Sequence, residues 1–288
     1  MSIIEQAFCF SCNEEELLGI VATSEKMGKT GVLIVVGGPQ YRVGSHRQFL
    51  LLSRYLALCG YPTMRFDYRG MGDSSGNLQG FESITEDIAA AIEAFLIHCP
   101  QLERIVLWGL CDAASACLMY QWAKHDVQIG GVVLLNPWVR SEATLAQTHI
   151  KHYYAERLLQ MDFWRKLLSG KLGIVRAITG FLRSLRAARL GAAGAATNAG
   201  VPSFQEQMLD VLDGTQCPVL LVLSGNDYVA KEFLEFAASS DRLSAILRHP
   251  KITRRDIEEA DHTFSRAEWR SAVEKATEAW LKVIDLPS

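Results

Sequence analysis

The sequence feature that most constrains this chain is a set of short apolar runs: Gly31–Val36 (G-V-L-I-V-V), Arg104–Trp108 (R-I-V-L-W), Gly131–Leu135 (G-V-V-L-L) and Pro218–Leu223 (P-V-L-L-V-L). Each is too short for an ordinary helix, is rich in β-branched residues and lacks polar alternation, the pattern of a strand buried on both faces. Pro62–Phe66 adds a further strand. Between the early runs lie segments with helical spacing, His46–Gly60, Ile84–Cys99 and Ala113–Lys124. Strands and helices alternating in this way predict a parallel sheet wrapped by helices. Two further strands at the start, Gln6–Ser11 and Leu17–Thr23, read as an antiparallel hairpin. Phe233–Ser239 reads as a helix, Thr253–Ile257 as the last strand and Arg266–Val283 as a closing helix. The expected class is α/β, a mostly parallel eight-stranded sheet with helices on both faces.

The alternation breaks from Val139 to Gly214, where helical periodicity continues without a strand and Gly191–Gly200 is rich in Ala and Gly. An insertion of this kind between two sheet strands predicts a helical cap over the carboxyl edge. The expected organisation is a core at 1–138, a cap at 139–214 and the rest of the core at 215–288. With 288 residues, 49% of them hydrophobic and 21% charged, the chain can build a sizeable core. Its net charge of −3 gives no electrostatic reason for a nucleic-acid partner. Seven cysteines, an odd count without a disulfide framework, point to a reducing compartment. Met1–Phe10 lacks the pattern of a signal peptide, and no apolar run reaches a membrane-spanning length, so a soluble cytoplasmic protein is expected. Cys9 and Cys12 form a C-x-x-C, but no second pair follows and a strand would point them to opposite faces. Neither a metal nor a cofactor is expected.

The strand Arg104–Trp108 runs straight into Gly109-Leu110-Cys111-Asp112-Ala113 and then into small residues that open a helix. This is the pattern of a nucleophile on a sharp strand-to-helix turn, with cysteine at the reactive position. Such a turn strains the backbone and needs small neighbours, here Gly109 and Ala113. A sulfur nucleophile needs a base, and the base needs an orienting acid. Ser224-Gly225-Asn226-Asp227 closes a buried strand, and Ala260-Asp261-His262-Thr263-Phe264 follows the last strand. In a parallel sheet the loops after the strands share one edge, so Cys111, Asp227 and His262 are expected to converge there. Their order along the chain, nucleophile then acid then histidine, is that of an α/β-hydrolase.

From about Leu17 to Leu286 the chain resembles α/β-hydrolases of the serine-aminopeptidase and lysophospholipase-like group. The resemblance is carried by G-G-P-Q (37–40), D-Y-R-G-M-G-D-S (67–74), G-L-C-D-A (109–113), S-G-N-D (224–227) and A-D-H-T-F (260–264). More narrowly, G-G-P-Q-Y-R-V-G-S-H-R-Q-F (37–49) is similar to hydrolase 1 of exosortase A systems. The resemblance implies a cap, a triad of Cys111, Asp227 and His262, and cysteine where most relatives carry serine. Dienelactone hydrolases are similar in pairing this fold with a cysteine. The family's usual His-Gly pair at the oxyanion loop is Gly37-Gly38 here. Because Pro39 has no N–H, the expected oxyanion donors are the backbones of Gln40 and Asp112, with Gly38 as the substitute.

A cysteine suits acyl chemistry on thioesters, lactones or reactive esters. Hydrolysis through an S-acyl intermediate is the expected activity, with transfer to another acceptor or a silent binding scaffold as alternatives. Arg42, His46 and Arg47 either contact an anionic substrate group or form a solvated helix start. Tyr41 and Tyr228, beside the oxyanion loop and Asp227, complete the candidate substrate-binding set. The loop Asp67–Ser74 reads as a brace for the sheet edge. In the cap, Phe163–Leu190 holds seven basic and no acidic residues, with apolar residues at helical spacing. That stretch reads as a cap helix with solvated arginines, or as a surface for an acidic acyl carrier protein, a CoA phosphate or an anionic membrane.

Overall fold

A computed structural model describes residues 2–38, 40–140, 201–214 and 217–286. The strands are β1 (Ile3–Cys12), β2 (Glu15–Ser24), β3 (Thr30–Val35), β4 (Thr63–Phe66), β5 (Arg104–Leu110), β6 (Ile129–Leu135), β7 (Val219–Ser224) and β8 (Ile252–Ile257). They form one sheet in the order β1-β2-β4-β3-β5-β6-β7-β8. The β1/β2 and β2/β4 pairs are antiparallel, and every pair from β4/β3 to β7/β8 is parallel. Among the described residues the helices are α1 (Gln48–Leu58), α2 (Thr85–His98), α3 (Asp112–Lys124), α4 (Phe204–Gly214), α5 (Tyr228–Ser239), α6 (Asp241–Ile246) and α7 (Ala267–Ile284). The expected α/β architecture is the observed one. The short helix α6 had no sequence signal strong enough to predict it.

Strands β3, β4 and β7 are buried at every residue, as the apolar runs of β3 and β7 require, and β4 buries Arg65 as well, paired with Glu5. Successive residues supply opposite layers. Val32, Ile34, Trp108, Val133 and Val222 join Phe49 and Leu56 of α1 and Trp280 and Leu281 of α7 in one core cluster. Phe49 meets Trp108 edge-on, with ring centroids 5.6 Å apart. Trp108 is almost fully buried, and truncating such a residue to alanine costs about 3–5 kcal/mol. The packing continues to the carboxyl ends of the central strands, where Leu110, Leu135 and Ser224 are buried.

The chain divides into two compact units, one comprising Met1–Trp138 with Ser203–Ser288 and the other Val139–Pro202. Helix α4, which the sequence grouped with the inserted cap, belongs to the first unit. Its Met208, Val211 and Leu212 are buried, and Phe204 meets Phe81 edge-on at 5.3 Å. The amphipathic period that suggested a cap helix is the same period that lays α4 against the sheet's helical layer, so periodicity alone did not separate them. The basic stretch Phe163–Leu190 and the segment Gly191–Gly200 lie outside the described residues. Among the described residues no helix is long and apolar enough to cross a membrane.

Candidate active site

Strand β5 continues two residues beyond the expected end, to Leu110, and α3 starts at Asp112. The whole turn is therefore made by one residue. Cys111 has φ 63° and ψ −125°, a conformation that non-glycine residues adopt only under strain. Hydrogen bonds hold it there. Its N–H donates to Leu135 O at 2.8 Å, and its carbonyl accepts from Ala114 N–H at 3.1 Å and Trp138 N–H at 3.2 Å. A Cβ on Gly109 would lie 2.6 Å from the backbone of Ala113, which is why glycine stands at that position. The sulfur-bearing residue is partly exposed and touches the core cluster without being sealed in it.

Asp227 ends the loop after β7 and caps α5. Its carboxylate accepts Val229 N–H at 3.2 Å and Ala230 N–H at 3.1 Å, as an aspartate N-cap does. The same carboxylate meets Nδ1 of His262 at 2.9 Å. Cys111 is near enough to the imidazole to be the next largest influence on its proton affinity after Asp227. The three side chains expected to converge are thus brought together. The hydrogen bond to Asp227, and after it the neighbouring Cys111, push the imidazole pKa up from 6.5 to about 10, against the opposing effect of burial.

The loop that carries His262 is braced by groups the sequence did not single out. Asn136, fully buried at the end of β6 with φ 43°, donates through Nδ2 to Ser224 Oγ at 2.8 Å and to His262 O at 3.3 Å. Its Oδ1 accepts Ser224 N–H at 2.9 Å, and Ser224 Oγ donates to Asp261 O at 3.0 Å. Asp261 accepts Thr263 N–H at 3.2 Å and Ser265 N–H at 3.0 Å, closing an Asx turn around His262. The available signal was a polar residue directly after a buried strand, which must find partners once buried.

The remaining predicted residues fall differently. Arg42 is buried and pairs with Asp67 and Asp73, so its charge is spent inside the molecule rather than on a substrate. Tyr41 donates to Asp73 Oδ2 at 2.6 Å and carries the Arg42 guanidinium 4.3 Å from its ring centre. Arg69 pairs with Asp87, so the loop Asp67–Ser74 is the expected brace. His46 is exposed and lies close enough to Asp261 to hold its carboxyl low, behind the Ser265 hydrogen bonds. Arg47, also exposed, precedes α1 with φ 61°. Tyr228 is exposed at the start of α5, with Lys231 Nζ 5.3 Å from its ring centre. Gln40 corrects the oxyanion assignment, because its N–H turns back onto Gly38 O at 2.7 Å. Gly38 N–H points instead to the Asp112 carboxylate, at 2.9 Å.

A strained turn after the central strand, with an acid and a histidine arriving from later strand ends, defines the α/β-hydrolase class. Residues 32–274 match the Alpha/beta hydrolase family, and the chain belongs to that family. A comparison with proteins of curated function finds no match. Among solved structures, an esterase of Pyrococcus furiosus is similar at 16% identity and a TM-score of 0.65, covering 98% of this chain and 91% of its own. A thermophilic esterase of Thermogutta terrifontis is similar at 20% identity and TM-score 0.59, covering 98% and 100%. The haloalkane dehalogenase DatA of Agrobacterium tumefaciens is similar at 16% identity and TM-score 0.58, covering 97% of each chain. At these identities the likeness is one of fold.

Proposed function

We propose that the protein is an acyl hydrolase of the thioesterase, esterase or lactonase type, with Cys111 as nucleophile, His262 as proton carrier and Asp227 as the orienting acid. The observation that carries this reading is the imidazole of His262, held by Asp227 through Nδ1 at 2.9 Å, near Cys111 on its strained turn. The sulfur attacks as its thiolate while His262 keeps the proton on Nε2. A bond forms between sulfur and the carbonyl carbon, and the leaving thiolate or alkoxide departs with the proton from His262. Water then gives a proton back to His262 as it attacks the S-acyl group, and the carbon–sulfur bond breaks to release the acid. The backbone N–H groups that could receive the oxyanion, at the start of α3 and on Gly38, are held by the Asp112 carboxylate before substrate binds. No step calls for a metal or cofactor.

Two of the structurally similar proteins are esterases, which agrees with this reading, and so does the resemblance of 37–49 to exosortase-associated hydrolases, which points to a substrate from exopolysaccharide assembly. The basic stretch 163–190 favours a thioester carried by CoA or by an acidic carrier protein. Purified protein is to be incubated with short-chain nitrophenyl esters and acyl-CoAs, and product release and intact mass followed together. The expected result is turnover, with an acyl adduct on Cys111 and none in Cys111→Ala. Turnover that survives Cys111→Ala would refute the assignment.

A further inference from the structure

The residue after the sulfur puts a carboxylate where acyl transfer to Cys111 needs donors for the substrate's oxygen. The Asp112 carboxylate folds back over the first turn of α3. One oxygen accepts Gly38 N–H at 2.9 Å and the other accepts Ala113 N–H at 3.0 Å. These N–H groups gather at a helix start beside Cys111, where a developing oxyanion would seek its donors. A Cβ on Gly37 would lie 2.2 Å from Asp112 Oδ1, so the glycine that replaces the family's usual histidine is what leaves room for the carboxylate. Around it stand the imidazole of His262, which favours its charge, and the phenol of Tyr68, which donates to Gly38 O at 3.4 Å. Burial raises the Asp112 carboxyl above its ordinary range despite the hydrogen bonds from Gly38 and Ala113. Burial, with the Asp112 charge second, likewise pushes Tyr68 up to about 12.

We propose that Asp112 is the specificity-determining gate of this site: its carboxyl group fills the oxyanion pocket, and acyl transfer to Cys111 requires the substrate's carbonyl oxygen to displace it. Two anionic oxygens do not share one set of N–H donors, because each repels the other. A substrate with extensive contacts elsewhere has binding energy to spend on the displacement, and a small ester has little. Asp112 thereby selects against small acyl esters. The inference rests on the acyl-transfer reading above.

Nitrophenyl acetate is the discriminating probe. In its reaction one acetyl group adds to the Cys111 sulfur for each nitrophenolate released, so the burst and the intact mass report the same event. Asp112→Ala empties the pocket and is expected to raise the acetylation rate about tenfold. Removing the charge also acts on the sulfur directly, so alkylation of Cys111 by iodoacetamide, which builds no oxyanion, serves as the reference. Its rate is expected to change less than about threefold. Asp112→Asn keeps the size without the charge and serves as the second variant should Asp112→Ala fail to fold, its gain being smaller and of the same sign. Acetylation that is unchanged or slower in both variants, or that rises only in step with alkylation, overturns the gate while leaving the hydrolase reading intact. Absence of any adduct on Cys111 in the unaltered protein and in both variants overturns the hydrolase reading itself, and the gate with it.

Discussion

Asp227 accepts two N–H groups of α5 before it accepts anything from His262, and this fixes which proton His262 holds. A carboxylate anchored at a helix N-terminus stays in place, so Nδ1 keeps its hydrogen, and in the proposed mechanism exchange with the sulfur passes through Nε2. The consequence for stability has a definite sign. A histidine whose folded pKa is raised from 6.5 to about 10 stabilises the fold fully below about pH 6.5, and that contribution is lost as pH rises through 10. Urea unfolding between pH 6 and 10 should show a falling stability, by about 2 kcal/mol once solvent screening of the partly exposed ring is allowed for. His262→Gln should flatten that fall. A slope unchanged by the substitution would place the proton uptake elsewhere. At this scale the sequence was informative for residues whose chain position implies their neighbours, namely Cys111, Asp227 and His262. It was uninformative for Arg42 and Tyr41, because whether a charge faces a substrate or a buried Asp67 depends on a partner 25 residues away.

The strand ends explain why the elements were legible and their junctions less so. Apolar runs announced β3, β5, β6 and β7, since a strand buried on both faces has no other composition open to it. What they did not announce is how one strand end supports another. Asn136 joins the ends of β6 and β7 to the loop after β8, and it does so with a side chain that satisfies buried groups on each. Asn136→Ala leaves Ser224 N–H and the His262 carbonyl without that partner and should cost about 1–3 kcal/mol of stability. Because the loop it supports carries His262, turnover should fall while KM changes little, and Asn136→Asp should recover part of the stability by restoring an acceptor for Ser224 N–H. Chemical denaturation and steady-state kinetics on the two variants separate these effects. Equal losses of KM and turnover would mean the loop shapes the substrate pocket instead. Helix α4 makes the same point differently. Its apolar stripe was plain in the sequence, while the layer that receives the stripe is a property of the tertiary fold.

Over the whole molecule the charge is distributed unevenly, and this gives the proposed substrate class a test independent of the triad. The chain carries a net −3, yet residues 163–190 contain seven cations and no anion, so the remainder is distinctly acidic. A small neutral ester approaching Cys111 meets no counter-charge that salt could screen. A CoA thioester, with its phosphates, or an acyl group on an acidic carrier protein, would be drawn by the basic stretch and repelled by the rest, so its capture depends on a local attraction that ions weaken. Raising ionic strength from about 0.05 to 0.5 M shortens the screening length from roughly 14 Å to roughly 4 Å. The expected outcome is a kcat/KM for acyl-CoA that falls about tenfold over this range, carried by KM, while that for nitrophenyl acetate stays within about twofold. Replacing Arg183, Arg186 and Arg189 with glutamine should remove most of the salt dependence for the acyl-CoA and leave the small ester untouched. Parallel salt curves for the two substrates would show that the basic stretch plays no part in capture, and would return the seven cations to the role of a solvated helix face.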